Sequence, residues 1–103
     1  MKNRHDLPSR RRVWTTTVRT GSQTAHVSVG LDEKRRVREM FVVVSKAGTD
    51  VREVLDAFAR AISLGLQYEV PVQAYIDQLR SYRSDMLNAV ANVLDRERKG
   101  ETR

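Results

Sequence analysis

The stretch Thr49–Pro71, TDVREVLDAFARAISLGLQYEVP, is the longest segment of the chain with a helical pattern of apolar residues. Its apolar positions recur at spacings of three and four, the period of one helix face. They are Val51, Val54, Leu55, Phe58, Ala61, Ile62, Gly65 and Leu66. Asp50 followed by Glu53 matches a capping box, and Pro71 ends the helix. We therefore expect a long helix whose apolar stripe packs across a sheet, with Gly65 marking a close approach to another element.

The residues before this helix predict a sheet. Val13–Thr20 and Ala25–Gly30 alternate apolar and polar residues, as strands with one buried face do. Arg38–Lys46 has apolar residues on both faces, which indicates a central strand or one that an oligomer covers on both sides. Because the connections are short, an antiparallel meander is the simplest topology.

Two shorter helical patterns follow Pro71, and Ser84 is a candidate N-cap for the second. The expected fold class is α+β, with a three-stranded antiparallel meander, a long helix and two shorter C-terminal helices packed on the sheet. We divide the chain into a basic arm at 1–11, a single domain at 12–94 and a charged tail at 95–103.

Composition excludes several classes of function. The chain has 103 residues and no cysteine, so disulfides, thiolate metal sites and a cysteine nucleophile are ruled out. Two histidines are too few for a histidine-based metal site. No apolar run approaches the roughly 18 residues that span a bilayer, and the N-terminus lacks the apolar region of a secretory signal. We expect a cytoplasmic protein without a membrane, metal or cofactor partner.

Charge is distributed unevenly. Residues 1–46 carry eleven basic and four acidic residues, whereas residues 47–103 carry eight and nine. In a meander the start of the first strand and the loop between the second and third strands lie at the same end of the sheet. Two basic clusters should meet there, and they form a candidate anion-binding patch of Arg10, Arg11, Arg12, Lys34, Arg35 and Arg36. The alternative is that these charges are only solvated.

Catalytic motifs are absent from the sequence. It has no glycine-rich phosphate loop, HExxH, paired-cysteine or GxSxG pattern. His26 falls on the polar face of its strand, and Asp32 and Glu33 lie in a charged loop, so we expect all three to be surface residues. No catalytic residue is predicted, and the chain is not expected to be an enzyme.

Several strings together resemble a known family. They are Leu7–Arg11, Gly30, Glu39–Val42, Lys46, Gly48, Phe58–Ala59 and, most specifically, Ser63–Pro71, SLGLQYEVP. They resemble a C-terminal region of cobalamin-dependent ribonucleotide reductases, the module called the TSCPD domain. The resemblance runs from about Leu7 to about Arg83.

The departures from the family pattern are specific. The family has glycine in place of Glu69 and an Asp-Gly turn in place of Lys34-Arg35. The cysteines and the catalytic barrel of the reductases are missing, so ribonucleotide reduction by this chain alone is excluded. The resemblance implies a stand-alone relative of an accessory domain, with no catalytic residue to carry over.

Two functional hypotheses follow. The first is an accessory or regulatory module that binds a protein partner, for example a ribonucleotide reductase, or forms a homodimer. The second is a nucleic-acid or nucleotide-phosphate-binding module that uses the basic patch.

Overall fold

The computed structural model describes residues 12–100, so the predicted basic arm at 1–11 lies outside the described residues. Three strands are followed by three helices. Their bounds are β1 Arg12–Thr20, β2 Gln23–Leu31, β3 Val37–Val44, α1 Thr49–Gln67, α2 Val72–Arg80 and α3 Asp85–Lys99. The strands pair antiparallel in the order β1-β2-β3. The predicted α+β class and the meander are confirmed.

One face of the sheet forms the core, and α3 packs against all three strands there, with α2 packed on α3. The inward residues of β2, namely Ala25, Val27 and Val29, are fully buried. The opposite face is open in the described part of the chain, and Val43 on β3 is 54% exposed. His26 lies on this open face and forms a 3.0 Å hydrogen bond with the Thr17 hydroxyl. Its predicted place on the polar face is confirmed.

Helix α1 does not pack across the sheet as its stripe predicts. It packs against β3, which lies at the edge of the sheet, while α3 occupies the face. The buried residues of α1 are Ala59, Ile62, Ser63, Leu66 and Gln67. Val51 and Val54 are 52% and 67% exposed. Of the eight predicted stripe positions only Ile62 and Leu66 are buried, and the buried face also includes Gln67, which lies off the predicted stripe.

The start of α1 also differs from the prediction. Gly48 is the N-cap, and no side chain caps the helix there. Because the helix begins at Thr49, Asp50 lies within the first turn, where its charge still favours the helix N-terminus. At α3 the prediction is confirmed, since the Ser84 hydroxyl accepts a 3.1 Å hydrogen bond from the Leu87 amide.

Helix α3 continues to Lys99, so residues 95–99 of the predicted charged tail are helical. Asp95 pairs with Arg98 and Lys99 at helical spacing. Hydrogen bonds from Arg98 and Lys99 hold the pKa of Asp95 at about 2, below its usual 3.8. Glu97 is buried, and Gly100 ends the helix in the left-handed conformation that glycine adopts easily. The charged residues thus form the last turn of a packed helix.

Ser63 joins α1 to the edge of the sheet. Its hydroxyl oxygen accepts a 2.8 Å hydrogen bond from the Met40 amide of β3. Its own hydrogen lies within reach of two carbonyls, those of Met40 at 3.0 Å and Ala59 at 2.8 Å. Backbone groups at a sheet edge have no neighbouring strand to bond. Ser63 supplies the missing partner for Met40.

Two glycines allow close approaches. A Cβ atom on Gly65 would collide with the Tyr75 hydroxyl of α2, so the predicted close contact is confirmed as one between helices. Burial raises the pKa of this Tyr75 hydroxyl. A Cβ atom on Gly30 would collide with the carboxyl end of Glu39 on the neighbouring strand. Both glycines belong to the strings that carry the family resemblance.

No helix among residues 12–100 is long and apolar enough to cross a membrane.

Replacing Ser63 by alanine should lower the free energy of unfolding by about 2 kcal/mol, because the buried Met40 amide is left without a partner. Denaturant unfolding monitored by circular dichroism measures the change. Ser81→Ala is the matched control, since the Ser81 hydroxyl donates to the Gln78 carbonyl at an exposed site. Equal losses in the two variants would contradict the role given to Ser63.

Candidate binding sites: a basic cleft and an apolar groove

The loop between β2 and β3 is built around the carboxylate of Asp32. One oxygen accepts hydrogen bonds of 2.9 Å from the amides of Lys34 and Arg36. The other accepts from the guanidinium Nε atoms of Arg36 and Arg38, also at 2.9 Å. This folding of the loop around Asp32 leaves Lys34, Arg35 and Arg36 exposed.

Asp32 is held in its ionised form. Burial by itself raises the pKa of this carboxyl, but hydrogen bonds from the Arg36 amide and from the Arg38 and Arg36 side chains outweigh it. The pKa therefore lies below its usual value of 3.8. Asp32 is a structural anion and not the solvated loop charge that the sequence suggested. An aspartate that ends a strand and bonds backbone amides two and four residues later is typical of turn chemistry, and this signal was available in the sequence.

Arg38 ties the loop to the end of α1. Gly30 pairs with Glu39 and Leu31 pairs with Val37, so Arg38 is the extra residue of a β-bulge. Its side chain is 6% exposed, and its Nη1 atom donates a 2.8 Å hydrogen bond to the Leu66 carbonyl. A cation suits this position because the C-terminus of a helix carries partial negative charge.

The turn from α1 to α2 forms the other wall. The Val70 amide bonds to the Gly65 carbonyl at 2.9 Å and the Glu69 amide to the Leu66 carbonyl at 3.1 Å, as in a Schellman motif. Glu69 has a φ of 69°, in the left-handed region. Glycine is the usual residue there, so Glu69 closes the helix at a cost of about 1 kcal/mol. Pro71 is the N-cap residue of α2, which has no side-chain cap.

Between these walls lies a cleft with a volume of about 490 Å³, which we call the basic cleft. Its lining residues are Lys34, Arg35, Arg36, Val37, Arg38, Glu69, Val70, Pro71, Val72 and Arg98. Five of them are basic and one is acidic. The volume lies in the range of small-molecule sites, and arginine forks match the geometry of phosphate oxygens.

The predicted anion-binding residues are placed as follows. Arg12 opens β1 opposite Leu31, so it lies at the same end of the sheet as the loop after β2, although it does not line the cleft. Lys34, Arg35 and Arg36 line it. Arg10 and Arg11 lie outside the described residues. The meander brings the loop and the start of β1 to one end as expected, and anion binding itself stays a prediction.

Two basic residues of the cleft, Arg38 and Arg98, were missed from the sequence. The sequence pattern predicts Arg38 as an ordinary strand residue, because alternation does not reveal a bulge. Arg98 reaches the cleft from α3 because the helix extends beyond the predicted domain boundary. The spacing of Asp95 to Arg98 and Lys99 would have indicated helix there.

A second concave surface, the apolar groove, lies between α1, α2 and the start of α3, with a volume of about 460 Å³. Its lining residues are Val54, Leu55, Phe58, Ile62, Tyr75, Gln78, Leu79, Tyr82 and Leu87. All but Gln78 are apolar or aromatic. Val54 and Tyr82 are more than half exposed. The groove exists because the strand against which α1 packs is the edge strand β3, so part of the apolar stripe of α1 faces outward.

Comparison with known proteins gives one family. The TSCPD domain family matches residues 2–99. The vitamin B12-dependent ribonucleotide reductase of Bradyrhizobium diazoefficiens is 35% identical over 77 residues, which is 75% of this chain and 6% of that protein. The Agrobacterium fabrum enzyme of the same name is 36% identical over 76 residues, 74% of this chain and 6% of that protein. The Streptantibioticus cattleyicolor enzyme is 31% identical over 80 residues, 78% of this chain and 13% of that protein.

The chain thus spans only a small share of the length of these relatives. No solved structure matches it.

Replacing Asp32 by asparagine should lower the free energy of unfolding by about 2 kcal/mol at neutral pH, because charged hydrogen bonds to Arg36 and Arg38 are lost. The pKa of Asp32 is lower in the folded chain than in the unfolded chain. Its contribution is therefore complete above pH 3.8 and is lost as the pH falls through the folded-state pKa. The difference in free energy of unfolding between the wild type and Asp32→Asn should therefore become smaller below pH 3.8.

Urea unfolding at pH 7 and at pH 3 or below measures both effects. Glu33→Gln, an exposed carboxylate in the same loop, is the control and should change stability by less than about 0.5 kcal/mol. A loss for Asp32→Asn that is no larger than that of the control would contradict the assignment.

Proposed function

The chain belongs to the TSCPD domain family, and we propose that it is a non-catalytic interaction module with an accessory or regulatory role. It acts by binding a protein partner or a second copy of itself. A ribonucleotide reductase is the protein partner that we propose, because the relatives carry this domain as a small part of enzymes of that name. We place the module in the cytoplasm, since a chain without cysteine suits a reducing compartment.

The apolar groove is the observation that carries this proposal. Monomeric proteins seldom expose contiguous apolar surface without a use for it, and such surface commonly marks an interaction site. The groove is concave, and eight of its nine lining residues are apolar or aromatic. Aromatic residues in such grooves are frequent anchors of protein interfaces. Tyr75 lines the groove beside the close approach to Gly65, and Tyr82, which also lines it, is more than half exposed.

The test introduces one charge into the groove. Val54→Asp changes a residue that is 67% exposed in the isolated chain, so the fold should persist. Binding to a purified vitamin B12-dependent ribonucleotide reductase is measured by surface plasmon resonance, and self-association by light scattering. We expect Val54→Asp to weaken binding to the reductase at least tenfold, the equivalent of about 1.4 kcal/mol, because a valine side chain that becomes buried contributes about that much.

Val51→Asp is the matched control. Val51 lies on the same helix with 52% exposure but does not line the groove, so its replacement should leave binding unchanged. Absence of both reductase binding and self-association in the wild-type chain would overturn the proposed function. Equal effects of the two substitutions would show that the groove is not the binding surface.

The basic cleft favours a second candidate function, the binding of a nucleic acid or a nucleotide through its phosphates. Lys34 and Arg35 are exposed at its rim. Within residues 12–100 Lys34 forms no ion pair, so its ammonium group needs no rearrangement to meet a phosphate. The cleft has no aromatic lining residue, so base stacking of the kind that single-strand binders use has no platform there. Recognition by this cleft is therefore of phosphate and not of base sequence.

We expect labelled oligonucleotide and labelled nucleoside triphosphate to bind more weakly as salt rises, since phosphate binding releases counterions. Fluorescence anisotropy at 50 and 200 mM salt gives the slope for each ligand and shows which one is preferred. The double variant Lys34→Ala/Arg35→Ala should lose about tenfold in affinity at the lower salt concentration.

The control double variant Arg19→Ala/Arg83→Ala removes the same net charge from exposed residues that do not line the cleft. If both pairs of substitutions weaken binding equally, the effect is one of overall charge and the cleft is not the site.

A further inference from the structure

We propose that two copies of the chain pair through their β1 strands, antiparallel, so that two three-stranded sheets become one six-stranded sheet. This inference rests on the proposed function, in which self-association is one mode of action, and it names the surface that performs it.

The outer edge of β1 carries a row of free backbone groups. In an antiparallel ladder, residues alternate between those that bond the neighbouring strand and those that point away from it. The backbone N–H of Met40 bonds Ser63, so the backbone groups of Met40 point away from β2. The backbone groups of its partner on β2, Val29, must then bond Trp14 on β1. Applied along β1, the alternation leaves the N–H and C=O groups of four residues pointing outward. They are Val13, Thr15, Thr17 and Arg19.

These outward backbone groups have no hydrogen bond within the part of the chain that the structure describes. The side chains of all four residues are exposed. The strand is nine residues long, contains no proline and pairs with β2 in continuous register. An exposed edge of this length and regularity is a template for another strand.

The opposite edge of the same sheet, formed by β3, is covered. There α1 lies along β3, and Ser63 bonds the amide of Met40. The amide nitrogen of Gln67 lies 3.5 Å from the Arg38 carbonyl. One edge of the sheet is thus covered by the fold itself, while the other is left open.

The sequence of β1 is complementary to itself in one register. Antiparallel pairing about Thr16 is the register that overlaps all nine residues, and it sets every outward residue opposite another outward residue. On one face Trp14 would meet Val18 of the second copy, a favourable aromatic and β-branched pair. On the other face Thr15 would meet Thr17. Arg12 would face Thr20, and Arg19 would face Val13, so no like charges stand opposite each other.

Because β1 is complementary to itself, the partner that fits its outer edge is a second copy of the chain. The same geometry limits the assembly to two copies. A two-fold axis through Thr16 uses the same strand on both protomers, which is the form of most symmetric dimers. Because α1 covers the β3 edge of each protomer, the joined sheet ends on both sides. Pairing therefore closes at a dimer and does not extend into a fibre.

Cross-linking tests the register directly, since the full chain has no cysteine of its own. In a pairing centred on Thr16, the two Thr16 Cα atoms face each other about 4.5 Å apart. That distance is within the range that disulfides span. We expect Thr16→Cys to form a disulfide-linked dimer under mild oxidation, seen on a non-reducing gel.

Val18→Cys is the matched control. Val18 lies on the same strand face and is likewise half-buried, but the two copies of residue 18 would lie more than about 13 Å apart. It should remain uncross-linked. Equal cross-linking of both variants, or none of Thr16→Cys, would overturn the proposed pairing.

A second measurement uses no cysteine. Light scattering of the wild type should give a mass near twice 11.8 kDa at high concentration. Thr15→Pro removes an outward N–H without touching the bonds to β2, and should weaken dimerisation at least tenfold. Thr15→Ala keeps that N–H and should dimerise like wild type, with circular dichroism confirming the fold of both.

A monomeric wild type, or equal dimerisation of the proline and alanine variants, would overturn the inference. Binding of a ribonucleotide reductase through the apolar groove is measured separately, so failure of the β1 pairing and failure of the proposed function give different results.

Discussion

The bonding of α1 to the edge of the sheet is the constraint on which the rest of this structure depends. An edge strand needs partners for its outward backbone groups, and Ser63 provides them for Met40 from within a helix. A helix held beside the sheet cannot also cover its face, so α3 takes that place. The end of α1 then lies next to the loop after β2, where Arg38 bonds Leu66. Both the basic cleft and the apolar groove follow from this one placement.

Much of the fold could be predicted from the sequence, because alternation and helical period depend on local patterns. The strands, their order and the three helices followed from such patterns. The placement of α1 did not, since Val54 and Ile62 look alike in a helical stripe although one is exposed and the other buried. The length of α3 was missed because residues 95–99 are mostly charged, and charge alone does not distinguish a solvated tail from a helix turn held by ion pairs.

The candidate site was predictable in part for a similar reason. Lys34, Arg35 and Arg36 are consecutive, so a charge count identified them. Arg38 became part of the cleft through a bulge, and Arg98 through a helix that crosses the sheet face. Both depend on contacts between elements far apart in sequence. Contacts between distant elements also explain two residues of the family string Ser63–Pro71. The Ser63 hydroxyl bonds Met40 at the sheet edge, and Gly65 makes room for Tyr75.

Arg35 and Glu69, the charged residues at two turns where the family pattern has glycine, both have positive φ and both line the basic cleft. Neither is part of the hydrophobic core. The electrostatic character of the cleft can therefore change between related chains through two turn positions, in either direction, while the packing of the domain stays as it is. Such a fold can gain or lose a site for a charged ligand while its hydrophobic core stays the same.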